Sequence, residues 1–298
     1  MNRAVVTGAA GFIGHALVSR LLRDDVHVTA VDRRAFTHPG ADVVISDVSA
    51  PGALKPFVAE GTVIFHLAAI ASVPQSVADP REDFENTMRP VFEVLESARN
   101  CGARVVFPST ASIFAASNPL PLDEQAWVRP VSPYGAAKVA GEAYCFAYHR
   151  AFNADARVAR LFSVYGPGLR RLAIHDLIRK IEGRPAQLEL LGDGQQLRDY
   201  LYIDDAIEGL LAVARHGAAG EDYNVASGKP VQLLDLARTL CRLMGRDDLP
   251  IAPTGKSFPG DTARWYADIS KVRRLGFSPL VDLDEGLRRT IAWLRDTR

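Results

Sequence analysis

The chain has 298 residues, 48% of them hydrophobic and 23% charged, with 35 Lys and Arg against 35 Asp and Glu. That length suits one large core with a smaller appended lobe, and the balanced charge gives no electrostatic basis for gripping nucleic acid or an acidic membrane surface. An anionic ligand must instead be held locally, by a few arginines or by backbone N–H groups. Cys101, Cys145 and Cys241 are scattered, with no CxxC pair, and read as reduced cysteines of a cytoplasmic protein. His15, His149, His175 and His216 have no partners at ligand spacing, so no metal is expected. The chain runs at once into Ala4-Val5-Val6-Thr7, too short for a signal-peptide core, and no apolar stretch approaches the roughly 18 to 20 residues of a membrane span.

In chain order, short β-branched runs alternate with helical segments. Strands are expected at Arg3–Thr7, His27–Val31, Val43–Ile45, Val63–His66, Arg104–Pro108 and Ala156–Leu161. Between them, helices are expected at Phe12–Leu22, Pro51–Phe57, Pro80–Asn100 and Tyr134–Phe152. Near-continuous apolar strands alternating with helices predict an α/β fold, a Rossmann-type doubly wound parallel sheet covered on both faces. Past Gly166 the alternation loosens, with helices expected at Arg171–Glu182, Asp204–Arg215, Leu233–Met244, Ile269–Leu275 and Asp284–Arg295. The expected organisation is a dinucleotide-binding domain over 1–166, to which 200–226 returns, and a smaller substrate-binding lobe over 167–298. Asp204-Asp205 reads as a helix cap, and Trp127, Trp265 and Trp293 read as core or lobe-packing residues.

In such sheets ligands sit outside the carboxyl ends of the strands. The first strand ends in Thr7-Gly8-Ala9-Ala10-Gly11-Phe12-Ile13-Gly14. Gly8, Gly11 and Gly14 allow a tight turn, close backbone approach to a pyrophosphate and close helix–strand packing, and the N–H groups of Phe12 and Ile13 open the next helix towards the phosphates. The spacing is G-x-x-G-x-x-G rather than G-x-G-x-x-G. Asp32 ends the second strand about 20 residues on, where a carboxylate accepts from an adenosine ribose hydroxyl and repels a 2′-phosphate, favouring NAD. Arg33 and Arg34 follow directly; either guanidinium can pair with a phosphate, which keeps NADP open, or both are solvated surface charges. Asp47-Val48 can hold the adenine edge, and His66-Leu67-Ala68-Ala69 is small enough to pass beneath the cofactor. His66 itself reads as a residue that packs or hydrogen-bonds locally.

Ser132-Pro133-Tyr134-Gly135-Ala136-Ala137-Lys138 places Tyr134 and Lys138 one helical turn apart on one face. A nearby ammonium favours phenolate over phenol and makes the tyrosine a usable general base; the lysine can also hold a nicotinamide ribose. The fifth strand delivers Ser109-Thr110-Ala111-Ser112 to the sheet edge opposite Tyr134, where a hydroxyl can share the substrate's proton or, more simply, cap the strand end.

These motifs together resemble the extended short-chain dehydrogenase/reductase superfamily, and within it the NAD-dependent nucleotide-sugar epimerase and dehydratase group, from Val5 to about Trp293. The carriers are Thr7–Gly14, Asp32, His66–Ala69, Ser109–Phe114, Tyr134 with Lys138, Arg160–Gly166, Gly192–Asp205 and Pro259–Asp268. The resemblance implies Tyr134 as base, Lys138 as its partner and Thr110 as the hydroxyl completing the triad, with Phe162 beside the cofactor. It also implies a nucleotide-diphosphate sugar held by Ser72, Thr110, Ser112, Ser163, Leu191 and Arg198, with Arg198 on the diphosphate. A homodimer through the helices over Pro80–Asn100 and Tyr134–Phe152 follows from the same resemblance, Ala143, Phe146 and Ala147 supplying part of an apolar face that could equally pack inside one subunit.

Dehydratase-like and decarboxylating members of the group usually carry an acidic residue after the strand-five hydroxyl, where this chain has Ala111 and Ser112. Hydride chemistry is left: 4-epimerisation of a UDP-hexose type of sugar through a 4-keto intermediate, or one-way nucleotide-sugar reduction or dehydrogenation. A non-catalytic dinucleotide-binding protein of the same fold is the reading from another class, disfavoured by the complete Tyr134, Lys138 and Thr110 set. Three departures bear on the substrate. Ser163 stands where asparagine is more common. Phe258, before Pro259-Gly260-Asp261, stands where a second phosphate-binding arginine is common. Thr87 or Asn86 falls where an asparagine precedes a Gly-Thr pair, here replaced by Pro90-Val91.

Overall fold

The computed structural model describes residues 1–256 and 264–297. Its strands are β1 (Arg3–Thr7), β2 (His27–Asp32), β3 (Asp42–Ile45), β4 (Val63–His66), β5 (Arg104–Thr110), β6 (Ala156–Leu161), β7 (Ser163–Tyr165), β8 (Leu188–Leu190), β9 (Leu197–Tyr202), β10 (Asp222–Val225), β11 (Pro230–Gln232) and β12 (Ile251–Pro253). Its helices are α1 (Phe12–Arg23), α2 (Val73–Ala78), α3 (Pro80–Asp83), α4 (Arg89–Arg99), α5 (Pro133–Phe152), α6 (Leu172–Glu182), α7 (Ile203–His216), α8 (Leu233–Leu243), α9 (Ser270–Arg273) and α10 (Leu283–Asp296).

Seven strands form one parallel sheet in the order β10-β6-β5-β4-β1-β2-β3. The order reverses between β1 and β4, which opens the crevice at the carboxyl ends of both strands. Alternate residues feed the two faces. Val5, Ile64, Val105 and Phe107 pack with Val91, Leu95 and Cys145 of α4 and α5. Ala4, Val6, Phe65 and Val106 pack with Leu17 of α1 and Leu210 of α7, in a cluster that continues without a break to Leu188, Leu236 and Leu287 of the C-terminal segments. Burial on both faces is why these strands read as continuous apolar runs rather than alternating ones. A three-stranded sheet (β11-β9-β7) and a β8-β12 pair complete the smaller lobe.

Four expectations need correction. The helix expected over Pro51–Phe57 is a single 3-10 turn at Lys55–Phe57, because Gly52 takes φ +73° and the two prolines leave too few donors for an α-helix. The helix expected over Pro80–Asn100 is interrupted by a π turn at Phe84–Met88, where Arg89 N donates to Phe84 O. Pro90, which has no N–H to give Asn86 O, explains the slip in register. Asp204 and Asp205 do not cap α7: Tyr202 is the cap residue, and the buried Asp205 carboxylate accepts instead from the backbone N–H groups of Leu280 and Val281 at 3.0 and 2.9 Å. Trp127, too, is 57% exposed and carries Arg129 over its ring rather than filling a core, whereas Trp265 and Trp293 pack against the core.

Candidate active site

The turn after β1 is shaped by contacts no side chain could accept. Gly8 holds φ +68°, and a Cβ there would lie 2.7 Å from Ala68 N; a Cβ at Gly14 would collide with Gly8 O. Backbone therefore sits on backbone, as a pyrophosphate-binding turn requires. No side chain caps α1 and no acid stands in its first turn, so the Phe12 and Ile13 N–H groups face the crevice with the positive end of the helix dipole. These features fit a dinucleotide.

Asp32 is 7% exposed, and its two oxygens are already organised. Oδ2 accepts from Ala10 N at 3.0 Å, and Oδ1 accepts from Arg34 N at 2.9 Å and Arg34 Nε at 3.3 Å. Arg34 thus folds back on the carboxylate, while Arg33 donates to Asn86 Oδ1 at the π turn. Asp47 is exposed and accepts from Ser49 N at 2.9 Å, an interaction that holds its carboxyl below the usual range; Val48 beside it is buried. Leu67, Ala68 and Ala69 are partly buried after β4. Thr7 Oγ1 accepts from Ala68 N at 3.2 Å and lies 2.8 Å from His66 Nδ1. The buried His66 Nε2 has no hydrogen-bond partner. Burial, reinforced by the Lys138 charge, lowers the His66 pKa to about 3.

Ser132 caps α5, accepting from Gly135 N at 3.1 Å with Pro133 in the first turn, and this fixes where Tyr134 and Lys138 face. The Thr110 hydroxyl stands beside Tyr134 and lowers its pKa, and Thr110 Oγ1 donates to Ser112 Oγ at 3.3 Å. Lys138 is 4% exposed; its Nζ donates to Pro108 O at 2.7 Å and lies 4.6 Å from the Phe107 ring centroid. Burial draws the Lys138 amine down to about 8, opposed by the Asp83 and Glu142 carboxylates and by Cys145. The Tyr134 hydroxyl is pushed up to about 12, chiefly by burial, which the Thr110 hydroxyl and the Arg171 charge oppose and Asp83 assists. Burial therefore outweighs the lowering expected from the lysine one turn on. The structure brings Thr110, Tyr134 and Lys138 together; Asp83 and Arg171 were not singled out in the sequence. The spacing Asp83–Thr87, one helical turn, was the available signal for the first, and nothing local distinguished the second.

The substrate residues are less concentrated. Phe162 is buried at the end of β6, and Ser163 pairs with Tyr200 across β7 and β9. Arg198 on β9 lies with its guanidinium 4.1 Å from the Trp265 ring centroid. Ser72 caps α2 by accepting from Gln75 N at 3.3 Å, and Leu191 is 46% exposed. A cleft of about 680 Å³ opens among Leu197, Pro230, Gln232, Arg264 and Tyr266, beside β9, and none of Thr110, Tyr134 or Lys138 lines it. Phe258 and Pro259-Gly260-Asp261 lie outside the described residues. Among the described residues, no cluster of His, Cys, Asp and Glu could hold a metal, and no helix is long and apolar enough to cross a membrane.

Residues 4–226 match the NAD dependent epimerase/dehydratase family. The chain belongs to this family. A UDP-glucose 4-epimerase of Mycolicibacterium smegmatis is 32% identical, over 99% of both chains. A dTDP-glucose 4,6-dehydratase of Streptomyces griseus is 31% identical, over 99% of this chain and 94% of that one. The structure of MoeE5 in complex with UDP-glucuronic acid and NAD superposes with a TM-score of 0.90 at 31% identity, covering 99% of this chain and 100% of that one. This epimerase/dehydratase chain is thus an enzyme whose cofactor is NAD, and its relatives act by more than one reaction on nucleotide sugars.

Proposed function

We propose that this enzyme interconverts the C4 epimers of a nucleotide-diphosphate sugar of the UDP-hexose type through a 4-keto intermediate. The carrying observation is the neighbourhood of the reacting hydroxyls. The Thr110 hydroxyl stands beside Tyr134 and lowers its pKa, and the two positions after Thr110 are the buried Ala111 and the hydroxyl of Ser112. Neither side chain can take a proton from carbon, as elimination would require.

In its phenolate form, which the Lys138 charge favours against the effect of burial, Tyr134 Oη takes the proton of the sugar 4-hydroxyl and later returns it to the same oxygen, with Thr110 hydrogen-bonded to that oxygen throughout. Lys138 supplies positive charge behind the phenol. When bound, NAD supplies a hydride acceptor that gives the hydride back, so no oxidant is consumed. Gly8, Gly11, Phe12, Ile13, Gly14 and Asp32 are the residues that would hold it, with Val48, Leu67, Ala68 and Ala69 lining its path. Arg198, with Ser163 and Leu191, would grip the nucleotide diphosphate about which the keto sugar turns. In this reading residues 1–166 hold NAD and 167–298 hold the sugar nucleotide, in the cytoplasm.

The second reading, a one-way nucleotide-sugar oxidoreductase, is favoured by Arg33 and Arg34 at the adenosine end. One experiment separates the two. The purified protein is denatured and any released dinucleotide identified, and the native protein is assayed with UDP-glucose, UDP-N-acetylglucosamine and UDP-glucuronate without added cofactor. Retained NAD with formation of the 4-epimer supports the epimerase; turnover only with added NAD(P)(H) overturns it.

We further infer a homodimer through α4 and α5. Phe92 and Tyr144 are each 41% exposed and meet edge to face at 6.2 Å, beside exposed Ala143 and Ala147. Phe146, by contrast, packs into its own subunit's core. A monomer by light scattering at micromolar concentration would overturn this.

A further inference from the structure

A buried acid stands behind the Tyr134–Lys138 pair on a separate element. Asp83 ends α3, immediately before the π turn, and is 2% exposed. Its Oδ1 accepts from Thr87 Oγ1 at 3.2 Å, and Thr87 Oγ1 accepts from Ile70 N at 3.3 Å. Both α3 and the π turn pack against α5. Asp83, Thr87 and Lys138 are all buried, and the elements that carry the first two pack on the helix that carries the third. π turns often mark functional positions.

The charge balance at Lys138 shows what Asp83 can do there. Its one hydrogen bond goes to an uncharged carbonyl, Pro108 O, and a buried ammonium needs an opposite charge to stay protonated. The titratable groups facing it are few. Glu142, on its own helix, gives both oxygens to Arg160 and is already neutralised. Cys145 is held as a thiol, its pKa pushed up by burial. His66, from the end of β4, is neutral, and Tyr134 keeps its proton. Arg171 adds only a further cation near Tyr134. Asp83 is the carboxylate left without a cationic partner of its own.

We propose that Asp83 is a positioning residue that holds the Lys138 side chain charged behind Tyr134, with Thr87 fixing the carboxylate. The inference rests on Tyr134 and Lys138 being the reacting pair. Mutual support is visible in both groups: Asp83 favours the charged Lys138, and Lys138 and Thr87 oppose the rise that burial imposes on Asp83.

The test removes the charge and keeps the shape, with Asp83→Asn. In cofactor-free protein, the Lys138 amine titrates at about 8 in the fold against an ordinary 10.5. The unfolded chain therefore binds more protons between those values, and stability rises with pH across that window. Asp83→Asn should start the rise about one pH unit lower, and the difference between the two proteins should vanish in a Lys138→Met background. With UDP-glucose as substrate, the alkaline fall of kcat should move down by about one pH unit while KM stays unchanged, which a merely structural role would not produce. Thr87→Val should give a smaller displacement in the same direction, and it decides the matter if Asp83→Asn does not fold. No displacement in either variant, or the same displacement without Lys138, overturns the proposal. If instead no UDP-sugar turns over, or Tyr134→Phe remains active, the functional reading fails, and the melting series still reports on Asp83 and Lys138.

Discussion

Arg160 donates to both oxygens of Glu142, at 3.0 and 2.8 Å, and each side chain is 4% exposed. The same guanidinium reaches Asp222 Oδ2 at 2.6 Å and Glu124 O at 3.0 Å, so β6, β10, α5 and the loop before α5 meet at one buried cation. Glu142 lies one turn beyond Lys138, and the pair therefore anchors the helix that carries the reacting groups.

Removing Glu142 takes two charge-assisted hydrogen bonds from the buried Arg160, which keeps Asp222 and Glu124 O as partners. Glu142→Ala should cost about 1.5 to 3 kcal/mol, more than the loss of the surface pair Arg238–Asp235, worth about 0 to 1 kcal/mol. Urea unfolding monitored by circular dichroism measures both. A loss below about 1 kcal/mol for Glu142→Ala would contradict this account of the anchor.

Tyr134→Phe keeps the ring and removes the hydroxyl that in the proposed mechanism exchanges a proton with the sugar. The expected loss in kcat is about 10²- to 10⁴-fold, with substrate binding retained. Steady-state kinetics with a UDP-sugar and its 4-epimer give the answer. Thr110→Val should lose less, because it removes a hydrogen bond rather than the base.

Asp32 organises Ala10 N and Arg34, and in the proposed reading it also holds the adenosine ribose. Asp32→Ala should weaken NAD about tenfold to a hundredfold and narrow the gap between NAD and NADP, since Arg33 and Arg34 remain and the repelling carboxylate is gone. Calorimetric titration of the two dinucleotides would show it; an unchanged NAD affinity would remove Asp32 from the site.

His66 is held neutral in the fold, with a pKa of about 3 against an ordinary 6.5. A depressed histidine contributes stability that is fully present above the unfolded value and is lost as pH falls from 6.5 towards 3. The slope from this one residue approaches about 1 kcal/mol per pH unit. His66→Asn, whose amide can still hydrogen-bond to Thr7, should flatten the melting temperature between pH 6 and pH 4. Identical slopes in the two proteins would mean that His66 is not held neutral.

Much of this molecule is written locally. The β1 turn follows from three glycines, two of which, Gly8 and Gly14, tolerate no Cβ, and the start of α5 follows from Ser132-Pro133, which also places Tyr134 and Lys138 one turn apart on the same face. The core strands of the sheet declare themselves because both faces are buried, so periodicity and composition suffice. The short strands β7 to β12 do not, since three to six residues of mixed burial carry no period of their own.

The ionisation of the site was decided elsewhere. Tyr134, read with Lys138 alone, is an activated base; in the fold, burial outweighs the lysine and the tyrosine holds its proton. Asp83 was not singled out because its burial depends on how α3 and the π turn pack on α5, and Glu142 is held through both its oxygens by Arg160 on the next strand. Helix caps, turns and strand faces depend on neighbours along the chain, and sequence determines them. The charge state of a buried group depends on every dipole and charge within several ångströms, whatever their distance in sequence, and only the tertiary structure brings those together.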